Sequence, residues 1–171
     1  MGRTMSTFLP SARTCAIVAI LMFAPVVASY VWHTNREWLD YPGIFFHLAI
    51  FLLVPRLPAP DWARAAGYGW LVLDVTVGVM TLNHVPAEIA MPIRLGGHIF
   101  AGIWIVNVSL LAIRPIKLTG FIAGAWLFSY SFVSPFVPKT ALAPTALMML
   151  LWLGLIAWHN GCARLTKAEV H

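Results

Sequence analysis

"PIRLGGHIFAGIWIVNVSLLAI", residues 92–113, is an apolar run of membrane-crossing length with an arginine and a histidine one helical turn apart at its mouth. An ionisable side chain in hydrocarbon is costly, and it normally faces the bundle interior or a watery cavity. A segment fit for lipid therefore needs a reason to carry Arg94 and His98.

Working outward, the whole chain has the same character. Of its 171 residues 60% are hydrophobic and 10% charged, with a mean hydropathy of +0.82. Soluble domains carry about 25% charged residues, so a water-facing surface could hardly be built from this sequence. One polytopic membrane domain over residues 1–171 is expected, with the lipid bilayer as its first partner. The net charge is +5, yet no basic cluster interleaved with aromatics is present, which argues against nucleic acid. Cys15 and Cys162 stand far apart, without CxxC or metal-ligand spacing, and read as inert thiols.

Six apolar segments can be marked, near 15–32, 41–55, 63–82, 92–113, 118–136 and 141–159. Asp40 and Asp61 stand as N-cap candidates before the second and third, Gly161 follows the sixth, and prolines punctuate "LVPRLPAPDW", "IRPIK" and "SPFVPK". The second segment is short: its 15 or so residues reach about 22 Å against a hydrocarbon core of roughly 30 Å. If all six span, Arg3, Arg13, Arg56, Arg64, Arg114, Lys117, Arg164 and Lys167 share one side, and Arg36, Arg94 and Lys139 the other. Eight of the eleven basic residues then lie together, and the positive-inside rule puts both termini in the cytoplasm. The expectation is an all-α bundle of six transmembrane helices in the cell (inner) membrane.

Two features at the amino end compete with this reading. Arg3, Arg13 and "VAS" at 27–29 have the outline of a cleaved signal peptide, although the apolar run continues through "YVW". "MGRTMS" fits a myristoylation pattern by chance composition. Trp32, Trp38, Trp62 and Trp158 fall near segment ends as interfacial anchors. Gly120 and Gly124 form a GxxxG that lets another backbone approach, through ordinary packing in the bundle or in a contact with a membrane partner or second copy.

With this threading the outer half is the polar half. His47 lies about 7–8 Å below the outer boundary and His98 about 9 Å, at 1.5 Å per residue. Asp74 sits nearer the middle, His84 and Glu88 on the outer loop, and Ser129, Tyr130, Ser131 and Ser134 at the outer end of the fifth helix. At 100° per residue His98 shares a face with Arg94, Ala101, Gly102 and Ile105, while Asp74 shares one with Gly67, Trp70, Val77, Gly78 and Thr81. The expected site is a pocket between the second, third and fourth helices, with His47, Asp74, Arg94, His98 and Ser131 as candidates. Snorkelling to the outer headgroups suffices to explain Arg94 alone.

Several functions fit such a pocket. The plainest is a structural network in which Asp74 is satisfied by His98 or Arg94 and holds the helices in register. The second is a b-type haem with His47 and His98 as axial ligands. "HIFAG", a His-x-x-x-Gly near the outer end of a helix that closes with Arg114, resembles the haem-bearing helices of bacterial cytochrome b-561-type proteins. The third is small-molecule binding or transport, with Asp74 as a proton or cation site and His98 as a ligand contact. Six spans in about 19 kDa, both ends inside, resemble in outline the vitamin-binding S-components of energy-coupling-factor transporters. The last is an intramembrane enzyme, for which there is no GxSxG or HExxH. His47, Asp74 and His98 have the chemistry of a metal site but no spacing that demands one, and Ser131 or Ser134 would need a histidine within reach to act as nucleophile.

Overall fold

The computed structural model describes residues 10–32 and 37–159, and within them the chain is all-helical. The helices are α1 (Ala12–Trp32), α2 (Asp40–Leu53), α3 (Asp61–Leu82), α4 (Ala87–Leu110), α5 (Arg114–Val133) and α6 (Ala143–His159). Short 3-10 turns flank α2 at Glu37–Leu39 and Val54–Arg56, and another at Lys139–Leu142 leads into α6. Arg3, Arg36, Gly161, Cys162, Arg164, Lys167 and the myristoylation pattern fall outside the described residues.

Five stretches are long and apolar enough to cross a membrane: Ala12–Ser29, Asp61–Leu82, Ala87–Leu110, Arg114–Val133 and Thr140–His159. The exception is α2, whose 14 residues make it the shortest helix, as the sequence suggests. Large apolar side chains such as Leu21, Val72, Leu118, Phe132 and Leu151 are exposed, a surface suited to lipid rather than water. Trp32, Trp38, Trp62 and Trp158, expected as anchors, are all exposed at or beside helix ends.

Helix starts depart from expectation for definable reasons. Asp40 and Asp61 are not N-caps. They are the first helical residues, behind Leu39 and Pro60, and no side-chain cap bond is made. There they act through charge, since a carboxylate in the first turn complements the positive end of the helix dipole. The fourth helix starts at Ala87, not Pro92, because Pro86 already occupies the cap with an extended backbone. Pro92 lies inside, where its missing N–H forgoes one bond to the preceding turn. In "IRPIK" the proline opens α5 instead of lying before it: Pro115 is in the first turn, where a helix tolerates proline.

The helices form a closed ring in chain order. Each packs on the next, and α1 closes on α6. The helix is unbroken through "VAS" at 27–29, and α1 supplies Cys15, Ala16 and Ala19 to the core. One end of the ring carries the α1–α2, α3–α4 and α5–α6 connections and is termed the loop end; the opposite one is the base. The base half is filled: Trp104, Trp152, Ile50, Leu53, Ile105, Ile116 and Leu153 are fully buried there. Glycines bring the backbones together. A Cβ on Gly102 would lie 2.6 Å from the Gly124 carbonyl oxygen, and one on Gly120 would lie 2.4 Å from Trp152 Nε1. The GxxxG stripe of α5 is thus buried against α4 and α6 of its own chain, and Gly120 and Gly124 offer no free surface to a second copy or a partner.

Candidate functional site

The loop-end half is not filled. It encloses a cavity of about 1010 Å³ to which all six helices contribute, wider than the three-helix pocket read from the sequence. Phe23 and Val26 of α1, Phe46 and His47 of α2, and Trp70 and Asp74 of α3 line one side. Arg94 and His98 of α4, Leu127 and Tyr130 of α5, and Thr145 and Met149 of α6 complete it. Exposed Trp38, Tyr41, Thr81 and His84 rim the loop end, so the cavity opens there.

Asp74 is the centre of the polar wall and is only 4% exposed. Its Oδ2 accepts a hydrogen bond from Trp70 Nε1 at 2.6 Å, one turn earlier on α3, and lies 3.0 Å from His47 Nε2. The other imidazole nitrogen of His47, Nδ1, is 2.7 Å from the Gly43 carbonyl oxygen. A carbonyl can only accept, so Nδ1 carries a hydrogen. The contact from Nε2 to Oδ2 then requires one more proton, held on the imidazole or on the carboxyl. In either form the pair as a whole is neutral. Both ring nitrogens of His47 are engaged, and a haem iron on Nε2 would have to displace Asp74.

Small residues allow this geometry. A Cβ on Gly78 would meet Ile44 Cγ1 at 2.5 Å, so α2 rides close over α3 beside Asp74. A Cβ on Gly97 would lie 2.9 Å from Asp74 Oδ1, so α4 presses against the carboxylate from the other side. Oδ1 itself is buried without a hydrogen-bond partner. From His47 an aromatic path descends to the core: edge-on to Trp70 at 5.5 Å, then to Trp104 at 6.0 Å and Trp152 at 5.8 Å. His47 and Trp70 border the cavity, and Trp104 and Trp152 lie beneath it in the packed core.

Arg94 and His98 lie one turn apart on α4, and both line the cavity. Among the described residues Arg94 makes no hydrogen bond and no ion pair, while the Nδ1 of His98 is buried without a partner. Neither reaches Asp74 in the manner expected of a structural network; the proton-sharing partner is His47.

Of the five candidates, four therefore border one cavity: His47, Asp74, Arg94 and His98. Ser131 does not. Its hydroxyl donates toward the carbonyls of Leu95 on α4, at 2.9 Å, and Leu127, at 3.2 Å, and so staples α5 to α4. Its neighbour Tyr130 faces the cavity instead and is buried. The signal for this is present in the sequence, since Ser131 continues the stripe of Gly120, Gly124 and Leu127 that packs on α4. Trp70 and Thr145 line the cavity too, and sequence reasoning misses both as site residues. Glu88 is exposed and, like Ser129 and Ser134, does not line the cavity. Among the described residues no three His, Cys, Asp or Glu side chains are placed to hold a metal ion. No family model, curated protein or solved structure matches the chain, so the geometry alone carries its functional reading.

Proposed function

We propose that this chain is an integral protein of the cell (inner) membrane that binds a small molecule in its loop-end cavity, to transport it or to present it to a partner. The observation that carries the reading is the cavity itself: about 1010 Å³, bordered by all six helices, with His47, Asp74, Arg94 and His98 converging on it. Small-molecule sites are mostly apolar hollows of about 300–1,000 Å³ with a few placed polar groups, and this one is of that kind. A purely structural network would be expected to close on itself. Here the Arg94 guanidinium, half-buried at the cavity wall, makes no hydrogen bond or ion pair among the described residues and is open to a ligand, with the His98 imidazole bordering the same space.

The orientation belongs to the same proposal. With α2 and its flanking 3-10 turns counted as a sixth crossing, the asymmetry of eight basic residues against three supports an orientation with both termini in the cytoplasm and the cavity mouth outside.

The test is thermal unfolding of the full chain in nanodiscs against neutral, cationic and anionic small molecules. A true ligand raises the midpoint in step with its concentration, by about 2.7 kcal/mol of stabilisation at a hundred times its Kd. Ala146 lines the cavity, and Ala146→Trp should remove that shift; because Ala146 is itself buried, the unliganded midpoint should also fall, by about 1–3 kcal/mol of stability. If no compound stabilises the wild type, the polar set is a structural device and the binding proposal fails.

A further inference from the structure

Resting on that reading, we infer that the ligand is an amphipathic anion, its negatively charged head held by Arg94 and His98 and its apolar body laid along Phe23, Phe46 and Met149. The inference comes from the charge balance of the cavity wall. Asp74 and His47 share one proton and cancel each other, with Trp70 donating to the same carboxylate oxygen. Asp40, at the mouth where it opens α2, makes no ion pair with Arg94. Arg94 is left with a full positive charge and no hydrogen bond or ion pair among the described residues. A guanidinium inside a bundle is retained when an anion meets it, and its planar fork of donors suits carboxylate or phosphate.

His98 points to the same place. It follows Arg94 by one turn on the same helix face, borders the same cavity and makes no hydrogen bond among the described residues. An anionic head between the two side chains would receive the guanidinium fork and an imidazole N–H together. The stacked rings of Phe23 and Phe46, 4.3 Å apart, and the Met149 side chain form an apolar wall that carries no charged group, with only the hydroxyls of Ser29 and Thr145 beside it. A singly charged head on a hydrophobic body therefore matches the lining better than a sugar, a polyanion or an inorganic cation.

Such a head has two sources, a free carboxylate or the phosphate of a membrane lipid, and the experiment separates them. The full chain is placed in phosphatidylcholine nanodiscs and titrated calorimetrically with 4-phenylbutyrate, its uncharged amide, and 4-phenylbutylamine. The carboxylate should bind about ten- to a hundredfold more tightly than the amide, the ammonium compound most weakly. Arg94→Gln should bring the carboxylate down to the amide's affinity, and Arg94→Lys should restore part of the difference. Repeating the titration with phosphatidylglycerol in the disc assigns the source: weaker apparent binding means that lipid phosphate competes for the site, and an unchanged affinity assigns it to soluble anions. Equal affinity for the three probes, or indifference to Arg94→Gln, overturns the anion assignment. If the probes then still bind and Ala146→Trp abolishes their binding, the cavity proposal survives that result. Absence of binding by all three, together with no stabilising compound of any charge, defeats both.

Discussion

The two halves of the ring are built from the same helices and differ in what fills them. The base half is closed by large side chains seated on glycine: Trp104 covers Gly67, and the Gly102 and Gly124 backbones meet directly. The loop-end half has its aromatic and methionine side chains at the wall and an open centre, with the His47, Asp74, Arg94 and His98 side chains at its margin. Without a hydrophobic force between helices in lipid, close packing is what holds a bundle together. The base half therefore carries the stability, and the loop-end half is free to be hollow.

Cutting into each half should separate them. Trp104 is fully buried, with Trp70 and Trp152 against its ring. Trp104→Ala should cost about 3–5 kcal/mol, as for other fully buried aromatics. Met91 borders the cavity and is half-buried, so one side of it already faces open space. Met91→Ala should therefore cost about 1 kcal/mol or less. Equilibrium unfolding in one detergent, read by circular dichroism, gives both values. Equal losses would mean that the loop-end wall is as much a structural core as the base, and the division of labour would be wrong.

A smaller effect comes from adding one methyl group. On Gly102 the new Cβ meets the Gly124 carbonyl oxygen, which cannot swing aside. Gly102→Ala should therefore cost about 1–3 kcal/mol through forced separation of α4 and α5. At Gly43, on the cavity wall, a Cβ would meet nothing within 4 Å. Gly43→Ala should be neutral or stabilise by up to about 1 kcal/mol, because alanine is the better helix former. The hydrogen bond from His47 uses the backbone carbonyl at this position and survives the change. The measurement is the pair of melting temperatures, and a harmful Gly43→Ala would show that the open wall has a tighter native arrangement.

Much of this is legible in the sequence. Helix number and the polarity of one half follow from hydropathy and proline spacing, and the faces of Asp74 and His98 follow from the 3.6-residue period. Gly67 and Gly78 mark the side of α3 where neighbours approach, and they do so because Trp104 and Ile44 occupy the space a side chain would need. What is not legible is adjacency. Periodicity orients a residue relative to its own helix and not relative to the ring, so it offers His98 and Arg94 as partners for Asp74 when His47 is the residue at 3.0 Å. The hydroxyl of Ser131 suggests a pocket residue, although its place on the glycine stripe assigns it to the α4 contact.

The finest distinction between the halves lies at the cavity mouth. α3 ends in a Schellman turn: the His84 amide donates to the Thr81 carbonyl and the Val85 amide to that of Met80, both at 3.0 Å. The turning residue has φ of 56°, a left-handed conformation normally given to glycine, yet it is a histidine. A side chain there costs roughly 1–2 kcal/mol of strain, and the greater freedom of glycine in the unfolded chain offsets part of what its introduction would relieve. His84→Gly should thus stabilise the protein slightly, by about 0.5–1 kcal/mol, with a correspondingly small rise in melting temperature. His84 also lines the mouth of the cavity. If the variant is more stable and binds 4-phenylbutyrate more weakly, the strain is retained for what the imidazole does at the mouth. A variant that is less stable would show instead that the His84 side chain holds the turn in place, and the mouth would then belong with the base half as structure.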